Sequence, residues 1–147
     1  MFIGRERELG ALNQLYDSGK FEFVVLYGRR RVGKTELIKR FIEGKNAIYF
    51  TGVESNAKQN LENFSQSILE YISGLESPDT SYGSFQAALD AAFRLAQKER
   101  VILAIDEYPY VARASKSFAS TLQMMIDKFK ENSKLMLIRP CAVRGLS

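Results

Sequence analysis

The chain contains no histidine and a single cysteine, Cys141, in 147 residues. The first absence excludes histidine-based catalytic triads and histidine metal ligands, so a metal bound here takes oxygen ligands, as Mg2+ does. The second excludes an internal disulfide and, with it, any signature of an oxidising compartment. No apolar run approaches the roughly 20 residues of a membrane-spanning helix, and charges begin at Arg5, too early and too dense for the apolar stretch of a signal peptide. A soluble, cytoplasmic protein with no membrane partner is the expectation. Internal repeats and low-complexity tracts are lacking as well.

What is present suits one compact domain: 46% of residues are hydrophobic and 26% charged, enough to bury a core. The net charge of +4 is modest and owes much to the run Arg29, Arg30 and Arg31. By itself it is no nucleic-acid footprint. The other dense basic grouping, Lys39-Arg40, reads as a solvated helix face.

The stretch Gly28-Arg29-Arg30-Arg31-Val32-Gly33-Lys34-Thr35 fits G-x-x-x-x-G-K-[ST] and directly follows the apolar run Phe23 to Tyr27. That order predicts a strand, a phosphate loop and a helix. Backbone N–H groups of such a loop and the positive end of the helix dipole attract an anion. Gly28 and Gly33 are expected to supply conformations and close approaches that a Cβ would block. Lys34 would carry its ammonium to the β- and γ-phosphates, and the Thr35 hydroxyl would ligate Mg2+.

The second constellation is Val101-Ile102-Leu103-Ala104-Ile105-Asp106-Glu107. Five apolar residues bounded by Lys98-Glu99-Arg100 and by two carboxylates read as a buried parallel strand with acids at its C-terminal end. Ligands of α/β sheets lie at that end. Asp106 would hold Mg2+, usually through water, and Glu107 would polarise an attacking water as general base. Taken alone, the pair could equally be solvated acids at a strand exit.

The remaining pattern alternates strands and helices, as in a parallel sheet covered by helices. Residues 5 to 17 form a helix with Leu9, Leu12, Leu15 and Tyr16 on one side, and strands run from 21 to 27 and from Ala47 to Phe50. Helical spacing recurs in Leu61, Phe64, Ile68 and Ile72, in Phe85 to Ala96, and in Phe118, Leu122, Met125, Ile126 and Phe129. The two methionines near 125 read as packing, and Gly74 to Gly83 as a surface loop. Pro109 is expected to break any strand after the acids, with Tyr108 and Tyr110 packing over the site. Arg113 reads as an exposed basic residue in preference to an arginine finger. Lys134 to Ile138 forms the last strand, ended abruptly by Arg139-Pro140.

Phe2-Ile3-Gly4-Arg5-Glu6-Arg7-Glu8-Leu9, the 28–35 loop and Ile105-Asp106-Glu107-Tyr108-Pro109 together resemble the archaeal-type ATPases, a branch near the AAA+ and STAND P-loop ATPases. The resemblance runs from residue 2 to about 138. It implies a three-layer α/β/α P-loop NTPase core of the ASCE type with a parallel sheet. The reaction it implies takes ATP and water to ADP and phosphate, with Mg2+, and drives a conformational switch, in a homo-oligomer or with a partner domain. It also implies that Phe2, Ile3 and Gly4 sit near the adenine. Without it, Phe2 and Ile3 read as a hydrophobic staple before the first helix.

The family places its fourth strand between the loop strand and the acid strand and ends it with a small polar sensor of the γ-phosphate. Here Ile138 is followed by Arg139-Pro140-Cys141, so the sensor, a fifth strand and a helical lid are expected to be missing. The expected division is therefore a core over 1–138 and an atypical tail over 139–147, incomplete on the C-terminal side. Two functional classes follow: an ATPase module, and a nucleotide-binding remnant that holds ATP without turnover. A small-molecule kinase would need an acceptor pocket, and acids followed by Tyr-Pro favour water as acceptor.

The codons of Pro140 to Arg144, read from the third base of the first, permit Leu-Cys-Gly-Ser, and the family often has Cys-Gly-Ser-Ser just after this strand. A frameshifted or truncated gene is one expectation, a short paralogue the other. Genomic sequence past the Ile138 codon decides: a shifted frame reading Cys-Gly-Ser and continuing into further domains establishes the first, and a stop with no such frame establishes the second.

Overall fold

A computed structural model describes residues 6–28, 33–74 and 80–142. In chain order the elements are α1 (Glu6–Tyr16), β1 (Glu22–Gly28), α2 (Lys34–Ile42), β2 (Ala47–Thr51), α3 (Ala57–Ser73), α4 (Phe85–Leu95), β3 (Val101–Asp106), α5 (Tyr108–Ala114), α6 (Phe118–Phe129) and β4 (Leu135–Ala142). The four strands form one sheet in the order β1-β4-β3-β2, and every pairing is parallel. β4 thus lies between the loop strand and the acid strand, as the resemblance implies.

Strand alternation sends successive side chains to opposite faces. One face carries Ile48, Phe50, Val101, Leu103, Ile105, Leu135 and Leu137 beneath α3, α4, α5 and α6. The other carries Ile102, Ala104, Met136 and Ile138 against Leu12 of α1 and Leu37, Ile38 and Phe41 of α2. The result is a three-layer α/β/α sandwich. All six residues of β3 are buried, which explains its unbroken apolar run: a strand covered on both faces has no polar side.

The helices begin where their caps dictate. The Asn56 side chain accepts from the Gln59 N–H at 2.8 Å, and Ser84 accepts from the Ala87 N–H at 3.1 Å. Each satisfies an amide that the helix itself leaves free. Near the other end of the sheet, Arg100 donates to the Tyr16 carbonyl at 2.9 Å, to Leu15 O at 3.0 Å and to Lys134 O at 2.7 Å. One guanidinium therefore closes the C-terminus of α1 and ties it to the segment entering β4.

Several sequence expectations are corrected. β4 does not stop at Ile138 but continues to Ala142, pairing Leu26 with Pro140 and Gly28 with Ala142. Its pairing with β3 ends at Ala104–Ile138, so among the described residues Pro140 lies on a stretch with a strand on one side only, where a missing N–H is tolerated. Pro109 does not merely end β3. It sits in the first turn of α5, a position whose amide would have no helical partner anyway. Ile72 is 53% exposed and outside the core, and of the two methionines only Met125 packs, Met124 being exposed. Lys39 and Arg40 are exposed, as expected.

The thickest packing is aromatic. Phe64 is fully buried and stacks on Phe50 with centroids 4.9 Å apart and on Phe85 at 6.3 Å. Phe64→Ala is expected to cost about 3–5 kcal/mol, seen in urea unfolding as a lower midpoint at unchanged slope; a loss below about 1 kcal/mol would mean that α3 packs on the sheet less tightly than these contacts require.

Candidate functional site

β1 and β3 both finish at the C-terminal end of the parallel sheet, and their exits bring the two sequence constellations together. Gly33 takes φ 71° and ψ 10° as the residue before α2, a left-handed conformation that glycine adopts without steric cost. A Cβ on Gly28 would meet Lys34 Cδ at 3.5 Å, an ordinary contact. Lys34 is itself buried, 9% exposed, and its Nζ donates to Gly28 O at 2.9 Å. The ammonium thus reaches back over the ends of the loop.

Thr35, in the first turn of α2, donates from Oγ1 to Asp106 Oδ2 at 2.6 Å. That bond joins residues 71 positions apart and links the phosphate-loop motif to the acid motif. Asp106 is 4% exposed and accepts twice more: from Tyr49 OH on Oδ2 at 2.6 Å and from the Glu107 N–H on Oδ1 at 2.9 Å. A buried carboxylate without donors would be costly, so these bonds are what allow the acid to lie there. Burial, followed by the bond to Asp106, pushes the Tyr49 phenol above its ordinary pKa, so the hydroxyl keeps its proton and remains a donor.

Glu107 has φ 52° and ψ 41°, the one positive φ among the described non-glycine residues. Strain of this kind collects where the surrounding structure over-determines a functional turn. Gly52 supplies the determination: its N–H donates to Asp106 O at 2.9 Å, and a Cβ on it would stand 2.7 Å from Glu107 O and 2.7 Å from Val111 Cγ2. The Glu107 side chain is exposed and, among the described residues, makes no hydrogen bond or ion pair. It is free to meet a ligand or water.

Tyr108 does pack beside the site. Burial raises its pKa, partly offset by the positive charge of Arg139, whose guanidinium lies 3.9 Å from the ring centroid. Arg139 Nε is buried without a hydrogen-bond partner. It follows Ile138 on β4, where the resemblance expects a small polar residue. Arg113 is exposed and lies over the ring of Tyr110 at 5.1 Å, in keeping with a surface role.

Of the sequence candidates, Gly28, Gly33, Lys34, Thr35, Asp106 and Glu107 therefore stand at one end of the sheet. Arg29, Arg30, Arg31, Val32, Phe2, Ile3 and Gly4 lie outside the described residues. Tyr49, Gly52 and Arg139 were not read as site residues. A tyrosine near a strand end reads as packing, and only the β2–β3 register, which sets Thr51 opposite Asp106, brings Tyr49 within reach.

The donor set suits Mg2+. Among the described residues no group of three His, Cys, Asp or Glu side chains could cage a metal. What the site offers is one hydroxyl and one carboxylate, hard oxygens that leave the rest of an octahedral shell to phosphate and water. Gly52→Ala is expected to lower the melting temperature through an overpacking cost of about 1–3 kcal/mol. Gly10→Ala, in α1 with open space around it, is expected to raise stability by about 0.5–1 kcal/mol. Equal melting temperatures for the two variants would rule out Gly52 as the clamp on the Glu107 turn.

Comparison with known proteins fits this geometry. An uncharacterized protein of Methanocaldococcus jannaschii is 38% identical over 138 residues, 94% of this chain and 29% of that protein. An uncharacterized ATP-binding protein of the same organism is 51% identical over 45 residues, 31% of this chain and 76% of that protein. Among solved structures, a Walker-type ATPase of Pyrococcus abyssi matches with TM-score 0.66 at 17% identity over 95% of this chain and 45% of that one. Cdc6p of Pyrobaculum aerophilum matches with TM-score 0.63 at 17% identity, over 97% and 40%. The Aeropyrum pernix Orc1 protein, solved in complex with DNA, gives 0.63 at 18%, over 96% and 39%. The chain thus spans less than half the length of these structures and about a third of the first relative. At such low identity the structural matches speak for the fold, which is that of the P-loop ATPases. Residues 2–143 match the family of ATPase domains found predominantly in Archaea, and the chain belongs to that family.

Proposed function

We propose that this chain is an ATP-binding module that takes its nucleotide with Mg2+ at the C-terminal ends of β1 and β3. The reading rests on the 2.6 Å bond from Thr35 to Asp106, which sets a phosphate-loop hydroxyl and a strand-end carboxylate side by side. Lys34 neutralises phosphate oxygens, exchanging its bond to Gly28 O for them. The N–H groups of the first turn of α2 point positive charge at the same place. Phe2, Ile3 and Gly4 are assigned to the adenine side through the family. Thr35 and Asp106 would hold Mg2+, which would supply positive charge to offset that developing on the phosphates during transfer.

Glu107 is proposed to orient a water and take its proton, since its carboxylate is exposed and, among the described residues, carries no competing bond. Hydrolysis then drives a conformational switch in further chain, a second copy or a partner domain that closes the site. The matched Orc1 protein was solved on DNA, but a net charge of +4, much of it beside the phosphate site, gives no separate reason to assign nucleic acid to this chain. The alternative is a module that binds nucleotide without turnover. Arg139 favours it, because a bulky stacked cation stands where a small polar residue is expected.

Calorimetry with ATP and Mg2+ tests binding: Lys34→Ala is expected to weaken it by at least about tenfold, and unchanged affinity in that variant rules the site out. Turnover separates the two readings. In an active module Glu107→Gln keeps binding and abolishes hydrolysis, whereas a binding-only chain shows no phosphate release in the parent while Lys34→Ala still loses the nucleotide.

A further inference from the structure

Asp106 receives more hydrogen bonds than the phosphate-loop motif alone requires. Thr35 and Tyr49 both donate to Oδ2, each at 2.6 Å, and Glu107 N–H donates to Oδ1 at 2.9 Å. An ionised carboxylate offers about four lone-pair directions, two on each oxygen. Both directions of Oδ2 are therefore filled, and one remains on Oδ1. Thr35 donates its hydroxyl hydrogen bond to Asp106, so its own lone pairs turn away from that residue. Tyr49 is held in place from two sides. Its backbone is in β2, in register with Ala104, and Lys39 of α2 lies over its ring, with Nζ 5.6 Å from the centroid.

We propose that Tyr49 is a positioning residue that keeps Asp106 an outer-shell partner of the divalent cation, bridged to it by water, and so biases the site toward a small, strongly hydrated ion. The inference rests on the Mg-nucleotide reading above. With Oδ2 saturated, a cation held by Thr35 and by phosphate oxygens finds no free direction on the nearer carboxylate oxygen. Mg2+ tolerates this, since it sheds its waters reluctantly. Ca2+ gains more from direct, often bidentate, carboxylate ligation, and the tyrosine removes that option. Without the Tyr49 hydroxyl one direction on Oδ2 opens toward β2, and the carboxylate can turn to meet the ion.

Binding of a non-hydrolysable ATP analogue is measured without metal, with Mg2+ and with Ca2+, in the parent and in Tyr49→Phe. Metal-free affinity is expected to stay the same, while the ratio of Ca2+- to Mg2+-supported affinity rises about tenfold in the variant, the scale of one hydrogen bond to a charged group. An unchanged ratio overturns the role of Tyr49. A parent whose analogue binding ignores both metals overturns the Mg-nucleotide reading, and this inference with it. A second measurement needs no variant. In the parent, labelled with 13C at aspartate carboxylates and loaded with Mn2+ and the analogue, electron–nuclear double resonance is expected to show only the weak coupling of a water-bridged carboxylate. Strong coupling from direct ligation overturns the proposal even if Tyr49→Phe fails to fold.

Discussion

Asp106 is a buried acid at the end of a fully buried strand, and its burial is tolerable only while donors surround it. Those donors come from different parts of the fold: Thr35 from α2, Tyr49 from β2 and the amide of Glu107 from the turn into α5. Its carbonyl takes the Gly52 amide. The solvation demand of one carboxylate thus sets the relative positions of the loop helix, the edge strand and the acid turn. Both faces of the sheet are committed to it as well, since α2 packs on one face and α5 on the other. A site assembled this way is pre-organised, because groups that would otherwise pay to line up are already fixed by folding.

The fold was legible where periodicity and burial agree. The unbroken run Val101 to Ile105 reads as a strand covered on both sides, and the 3.6-residue stripes of α3, α4 and α6 read as helices facing a core. The site was legible where one residue type is tied to one conformation, as at Gly33, or where a charged pair closes an apolar run, as at Asp106-Glu107. What escaped depends on tertiary neighbours. Pro109 reads as a breaker unless its place in the first turn of a helix is known. Gly52 shows its part only where Val111 is packed against it. Tyr49 acquires its meaning from a register between β2 and β3 that the sequence does not state. Arg139 and Pro140 read as a strand end because β4 was expected to be flanked on both sides throughout.

The strain at Glu107 and the freedom of its side chain belong together. A left-handed backbone turns the chain sharply from β3 into α5, which lifts the glutamate out of the sheet plane while its neighbour stays buried. Adjacent acids therefore have opposite fates, one desolvated and bonded, the other exposed and unbonded.

The parting of β3 and β4 past Ile138 leaves the sheet with an inner edge. From Arg139 to Ala142 the main chain of β4 pairs with β1, and among the described residues no strand stands opposite it on the side of β3. Along that edge, chemistry is offered by peptide groups, which every residue but proline carries alike. The end of the sheet beside the site can therefore drift in side-chain identity while still presenting oriented dipoles, so that part of its polarity is inherited from topology and not from the amino acids that happen to occupy it.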